Sequence, residues 1–349
     1  MQNKIQLSFC ITTRNRADFI GEALDSIISQ AGDNVEIVVV DGASTDNTTE
    51  VVGQYQKKFN NIVYRRLEKN GGVDRDMATA VELARGEYCW LFSDDDMLKT
   101  GAIERMLKEI KTGCEIYLCN ITACDLQMRP IRQRFWLSRK IRDRIFNLHN
   151  KSDFVEYCNK ANSIGALFSF WSSIVFRREE WNKTGFLEEF DGSAYASASV
   201  LLSFIKRKCR LKYIRDSLAL WRSDNVSFQN ANGLVGKFLL DFDGYWHLAN
   251  KYLSDDLKMK DSFFGVMMRE HPWYTIINAT SFIDNDKQWA TFKDKALKFG
   301  YGQRILNICY VLGRFKPLVS MAVTMKRKII KSRVLATLDA HKKFLLKRH

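Results

Sequence analysis

Proline is scarce in this sequence: three occur in 349 residues, against 46% hydrophobic residues. That composition excludes a proline-rich or collagen-like chain and one too polar to collapse. The eight cysteines contain no CxxC pair, and Cys114, Cys119 and Cys124, five apart, match no common zinc or redox signature. Buried or idle thiols of a reducing cytosol are the expectation. Long apolar runs are missing too. The longest uncharged stretch, Ala161 to Phe176, contains Asn, Gly and several Ser and falls short of a spanning helix. The opening MQNKIQLSFCITT has no basic leader followed by an apolar run and reads directly as a strand, so a cytoplasmic protein is expected.

The formal net charge of +14 is concentrated in two segments. From Lys326 to His349 nine Lys/Arg face one Asp, and from Arg129 to Arg144 seven face one, so the rest of the chain is about neutral. The basicity is a property of two local surfaces and not of the fold.

The chain reads best outward from Gly86 to Met97, GEYCWLFSDDDM. An apolar, β-compatible run ends at Asp94, Asp95 and Asp96, and a helix-like segment starts at about Lys99. In an open parallel α/β sheet, charge at the carboxyl ends of strands faces a crevice where ligands bind. Adjacent carboxylates repel unless a cation lies among them, and hard oxygens suit Mg²⁺ or Mn²⁺. The alternative is an acidic helix N-terminus favoured by capping and the helix dipole.

Upstream, Leu7 to Ile11 is an expected strand, followed by the loop Thr12 to Arg16 and a helix to about Gln30 with its apolar residues at helical spacing. Val35 to Val40 is a doubly covered strand ending at Asp41. Ile62 to Arg66 is a third strand, and Glu68 to Asp76 opens a helix that runs to Arg85. Strands alternating with helices over the first hundred residues imply a parallel sheet with right-handed crossovers.

The order ITTRNR, IVVVDGASTDNT, NGG and ARGEYCWLFSDDD resembles the nucleotide-sugar half of inverting family-2 glycosyltransferases with the GT-A fold, over roughly residues 5 to 120. Within that family it is most similar to transferases of bacterial O-antigen assembly, including abequosyltransferase-like members. The resemblance implies a Rossmann-like, mostly parallel sheet with helices on both faces, and a helical C-terminal extension. It gives Asp41 the contact to the nucleotide base and places Thr13 and Arg16 beside the nucleotide. The family's Asp-x-Asp-Asp cluster aligns Ser93 with the first position and Asp95 and Asp96 with the later two. A Ser can bond a ribose but ligates metal weakly, so Asp95 is the first-choice ligand, with Asp96 or Asp94 assisting. Arg75 and the Gly71-Gly72 backbone are candidate diphosphate contacts; Arg75 equally suits a surface helix.

Gly185 to Phe190 resembles the family's Gly-Phe-x-Glu segment ahead of the acceptor side. The family's general-base Asp usually follows at a helix start, but Ser193 to Ser199 carries no carboxylate. Asp191 is therefore the candidate base, with Glu188 and Glu189 as substitutes; a turn or N-cap role is the alternative for Asp191.

The expected organisation is a glycosyltransferase domain over 1–225, with a nucleotide-sugar half (1–120) and an acceptor half (121–225), a helical extension over 226–320, and a basic tail over 321–349. Met321 to Phe344 interleaves Val, Ile and Leu with Lys and Arg as an interfacial helix does, and Arg129 to Arg144 mixes Phe135, Trp136 and Leu137 with cations in the same manner. A solvated helix or an RNA-binding tail is the alternative. The expected activity is metal-dependent, inverting transfer of a sugar from a nucleotide-sugar donor to a lipid-linked oligosaccharide, at the inner face of the cytoplasmic membrane and with no nucleic-acid partner. A nucleotidyltransferase of similar fold is the rival reading, but its first loop is usually glycine-rich and ITTRNR is not. A nucleic-acid-binding protein would leave the acidic strand ends without purpose, because unneutralised acid repels phosphates.

Overall fold

The computed structural model of the chain describes residues 4–316, apart from 224 and 226, together with Met321. Ten strands form one sheet: β1 (Leu7–Thr13), β2 (Val35–Asp41), β3 (Ile62–Arg66), β4 (Tyr88–Ser93), β5 (Met97–Leu98), β6 (Ile116–Cys124), β7 (Pro130–Arg134), β8 (Arg144–Asn147), β9 (Ile174–Arg177) and β10 (Arg210–Arg222). Their order is β3-β2-β1-β4-β9-β6-β10-β5, with β7 on β6 and β8 on β10. The β3-β2-β1-β4 half is parallel. Beyond it β9 runs antiparallel to both β4 and β6, while β6 and β10 are parallel.

Register is what assembles the crevice. Thr13 pairs with Asp41 and Thr12 with Ser93, so three strand ends stop at the same edge of the sheet. β2 is buried along its whole length, which explains its unbroken VEIVVV run. Helices α1 (Ala17–Ile28), α2 (Thr48–Lys58) and α3 (Val73–Leu83) make the crossovers, and α4 (Ala102–Ile110) follows the acidic cluster. The helix after the cluster starts at Ala102 and not near Lys99, because Met97 and Leu98 first pair with Leu220 and Ala219 of β10.

At the opposite end of β4, the ARGE turn is bolted to β1 and β2 by the fully buried Glu36. Its carboxylate accepts the Ser8 hydroxyl at 2.6 Å, the Gly86 N–H at 3.2 Å and Arg85 Nε at 2.8 Å. A Cβ on Gly86 would lie 2.4 Å from Ser8 Oγ and 2.8 Å from the Ser8 amide nitrogen. Gly86→Ala is therefore expected to destabilise the protein by about 1–3 kcal/mol through forced backbone shifts. An unchanged melting temperature would show that the turn relaxes freely.

Residues 121–225 add α5 (Lys151–Lys160), the short α6 (Arg178–Asn182) and α7 (Ala196–Ser203). α7 begins at Ala196, later than the expected Ser193, since residues 191–195 form a loop with positive φ at Gly192 and Ala194. Trp171 to Ser173 is a 3₁₀ turn ahead of β9, which starts at Ile174.

The extension comprises α8 (Ser227–Leu253, broken at Gly233), α9 (Leu257–Glu270), α10 (Trp273–Thr280), α11 (Asp286–Lys298) and α12 (Gln303–Gly313). Its own core, including Phe238, Phe242, Phe263, Phe292 and Phe299, is continuous with that of the sheet domain. A buried polar joint is among the contacts that cross the boundary. Buried Asp241 of α8 accepts the Tyr195 hydroxyl at 2.5 Å and Lys237 Nζ at 2.9 Å, and lies 3.1 Å from His271 Nε2. Burial pushes the Asp241 carboxyl up, yet its bond with His271 and the charge of Lys237 bring it below the usual carboxylate range.

All eight cysteines are free and buried. The cationic-aromatic surface expected at Arg129 to Arg144 is corrected by the fold. Trp136 and Leu137 are core residues, 2% and 0% exposed, and cannot enter a bilayer. The basic amphipathic tail beyond Met321 lies outside the described residues.

Candidate active site

Asp41 closes β2 with a fully buried carboxylate. The Ser44 N–H donates to Oδ1 at 2.7 Å and the Tyr64 hydroxyl to Oδ2 at 2.6 Å. Burial and this carboxylate push the Tyr64 phenol up to about 12. Such an oriented acceptor at a strand end suits the N–H edge of a nucleotide base.

Asp76, unassigned from the sequence, lies beside Asp41. A Cβ on Gly42 would meet Asp76 Oδ2 at 2.6 Å and one on Gly71 would meet Oδ1 at 2.9 Å. Both glycines therefore make room for this side chain, a requirement on Gly71 independent of any diphosphate. Gly72 is needed for φ +89° at the start of α3. Burial, followed by the Asp41 charge, raises Asp76 to about 6 against the opposing Arg14, and Asp76 Oδ1 has no partner among the described residues.

The three acids at the end of β4 are unequal. Asp96 is spent on structure: the Ser172 hydroxyl donates to Oδ2 at 2.5 Å and the Arg222 N–H to Oδ1 at 3.2 Å. Asp95 accepts the Ser93 hydroxyl at 2.6 Å and Asn225 Nδ2 at 2.7 Å. Arg16 lies 3.5 Å from both Asp94 and Asp95, spanning them as an internal cation. Burial first, then the Asp95 charge, raises Asp94 to about 7, with Arg16 and the Thr13 hydroxyl opposing. Thr13 and Arg16 thus join the cluster from the β1 loop. Arg222 Nε also donates to the Asp95 carbonyl at 3.1 Å, which ties the end of β10 to the acidic turn.

Among the described residues no three His, Cys, Asp or Glu side chains converge into a cage. Asp95 and Asp94 offer the smaller donor set typical of Mg²⁺ or Mn²⁺, one or two carboxylates completed by substrate phosphates. Two crowded acids, one of them raised by burial and like charge, fit a divalent cation.

Away from the acidic cluster, Arg75 Nε bonds Asp191 Oδ2 at 2.6 Å while Nη1 and Nη2 bond Glu188. The sequence-expected diphosphate contact and the candidate base are thus partners of each other. Glu189 turns to Lys251 and lies 3.4 Å from His247, on the extension. Asp74 fixes the loop by accepting the Ala194 N–H at 2.9 Å. The partners missed by sequence reasoning, Ser172, Arg222 and Asn225, lie 76 to 130 residues from the acids they hold, and only tertiary pairing brings them there.

Residues 8–168 match the family described as glycosyl transferase family 2. An abequosyltransferase of Salmonella typhimurium (strain LT2) is 32% identical over 334 residues, 93% of this chain and 99% of its own length. A poly(ribitol-phosphate) beta-glucosyltransferase of Bacillus spizizenii is 34% identical over 29% of this chain and 16% of its own. Among solved structures, residues 1–349 of S. aureus TarS in complex with UDP-GlcNAc superpose with a TM-score of 0.63 at 17% identity, covering 97% of this chain and 92% of that one. The Pyrobaculum calidifontis mannosyltransferase PcManGT with GDP-Man and Mn²⁺ gives 0.52 at 14% identity, covering 90% and 87%. These two share the fold.

Proposed function

Because this chain belongs to glycosyl transferase family 2, we propose that its crevice transfers one sugar, with inversion, from a nucleotide-sugar donor to a hydroxyl of a lipid-linked oligosaccharide in the synthesis of O-antigen or another surface polysaccharide. The observation that carries the reading is the register-matched placement of Asp41 and the Asp94–Asp95 pair along one sheet edge.

Asp41 receives the base, and Arg16 reaches the diphosphate from the β1 loop. Asp95, with Asp94, would hold Mn²⁺ or Mg²⁺, which when bound neutralises the diphosphate leaving group. Asp191, anchored by Arg75 at the other side of the crevice, takes the proton of the attacking hydroxyl, so attack from the face opposite the leaving group inverts the anomeric centre. Glu188, on the same guanidinium, is the substitute.

The acceptor's membrane is met by the extension. α12 leaves Ile305, Ile308, Val311 and Leu312 exposed, Phe315 follows it, and Trp273 of α10 is 61% exposed. The basic, apolar-interleaved sequence from Lys326 comes next, and each cation near an anionic surface adds about 1 kcal/mol. Among the described residues no helix is long and apolar enough to cross a membrane.

The test is a thermal-shift and hydrolysis screen of UDP-, GDP-, CDP- and dTDP-sugars with Mn²⁺ or with chelator. One donor is expected to raise the melting temperature by mass action and to be turned over only with the metal. Stabilisation by none of them refutes the donor assignment. Phosphatidylglycerol vesicles should sediment the intact chain but not one lacking Lys326 to His349; equal pelleting refutes the tail as anchor.

A further inference from the structure

The arginines between Arg129 and Arg144 are of two kinds. Arg129 is paired with Asp125 at 2.7 Å, and Arg144 holds both oxygens of Glu156 at 2.7 Å. Arg132, Arg134 and Arg139 make no ion pair with a carboxylate among the described residues. These three line a cavity of about 270 Å³ together with Arg269 and a single acid, Glu270. Arg269 is fixed there by the carbonyls of Ala161, at 2.7 Å, and Cys158, both at the end of α5. Arg134 lies over the rings of Trp136 and Trp221, 5.6 and 5.4 Å from their centroids. Partial burial, then the adjacent Arg134 charge, lowers the affinity of Arg132 for its proton, with Tyr274 opposing.

The Arg cavity shares Arg134, Ser163 and Glu270 with a second cavity, of about 310 Å³, lined by Trp136, Phe170, Tyr195 and Trp221. Aromatic faces with a few fixed polar groups such as Lys237 and Asp241 suit a saccharide. Two of its wall residues, Phe170 and Trp221, are near in sequence to Ser172 and Arg222, which bond Asp96. Ser163, common to both cavities and 7% exposed, has a buried hydroxyl with no partner among the described residues. A buried hydroxyl left unsatisfied is costly unless a ligand or an ordered water completes it.

We propose that the acceptor is a phosphate-bearing glycan, its sugar in the aromatic cavity and its phosphate on Arg132, Arg134, Arg139 and the Ser163 hydroxyl. This rests on the acceptor-side reading given above. Planar guanidinium forks match phosphate oxygens bidentately, and three of them converge where one carboxylate cannot neutralise them. The phosphate belongs either to a lipid diphosphate at the reducing end or to a phosphodiester within the glycan.

The full chain is titrated, with chelator present, against geranyl diphosphate and against dimethyl phosphate, alongside Arg132→Gln/Arg139→Gln and the control Arg142→Gln. Saturable binding is expected in the intact chain and the control, weakened roughly 10- to 100-fold in the double variant. Arg132→Lys, which keeps the charge but not the fork, should lose affinity several-fold. Tighter binding of geranyl diphosphate identifies the lipid source, and equal binding of dimethyl phosphate the phosphodiester. Absence of phosphate binding, equal affinity in the double variant, or binding of phosphatidylglycerol vesicles alone overturns the proposal. Thermal stabilisation by nucleotide sugars should be the same in all variants. Its absence in the intact chain would refute the donor reading, while the phosphate titration still decides this one.

Discussion

Asp95→Asn is expected to cut sugar transfer by more than about 100-fold, beyond the loss typical of a residue that only supports a metal ligand, without lowering stability. The substitution keeps side-chain volume at a residue 8% exposed. The Ser93 hydroxyl and the Asn225 amide remain at hand for the new side chain. What disappears is one negative charge, and with it both the Arg16 ion pair and the repulsion that adds to burial in raising Asp94 and Asp96. The variant should melt at the wild-type temperature or slightly above it and still bind nucleotide through Asp41. Full Mn²⁺-dependent transfer by this variant would remove the metal from Asp95. A fall in melting temperature matching the fall in activity would assign Asp95 to the fold.

Asp191→Asn should leave donor affinity near normal and slow transfer by roughly 10²- to 10⁴-fold, the usual contribution of a general base. Arg75 keeps its hold on Glu188 in this variant, so the loop stays anchored on one side. Asp74 anchors the other through the Ala194 N–H. With the loop in place, a loss in kcat reports proton transfer and not a displaced segment. A loss below several-fold would pass the role to Glu188, which shares the Arg75 guanidinium. Glu189 is the weaker substitute, because Lys251 draws it toward the extension.

The parts of this molecule legible in its sequence are those where local chemistry and tertiary structure agree. The apolar runs ending at Asp41 and Ser93 encode doubly covered strands, and acid at their carboxyl ends encodes a crevice. β10 was not legible: polar residues interrupt LKYIRDSLALWR, and its register with β6 shifts between Ile214 and Ala219. Arg222 and its bonds to the acidic turn stayed hidden with it. The Arg75 pairing was equally invisible, since Glu188 and Asp191 lie 113 and 116 residues away. The Arg129 to Arg144 segment misled for another reason. Trp136 lies two residues past β7, and its indole N–H donates to the Cys119 carbonyl at 2.8 Å. A pattern resembling an interfacial helix is thus an edge strand and a turn folded inward.

The joint between Tyr195 and Asp241 bears on how such enzymes can be recombined. Tyr195 precedes α7 in the sheet domain, whereas Asp241 and His271 belong to the extension, and all three are buried. An extension exchanged as a cassette at residue 225 would carry away the acceptor of the Tyr195 hydroxyl and, without a substitute, strand a phenol in the interface. Gly244 adds a steric condition: a Cβ there would come within 2.2 Å of the Tyr195 ring. Grafts that alter acceptor choice should therefore move residues 191–203 and 233–271 together, as a single transplantable unit whose seam lies outside this joint.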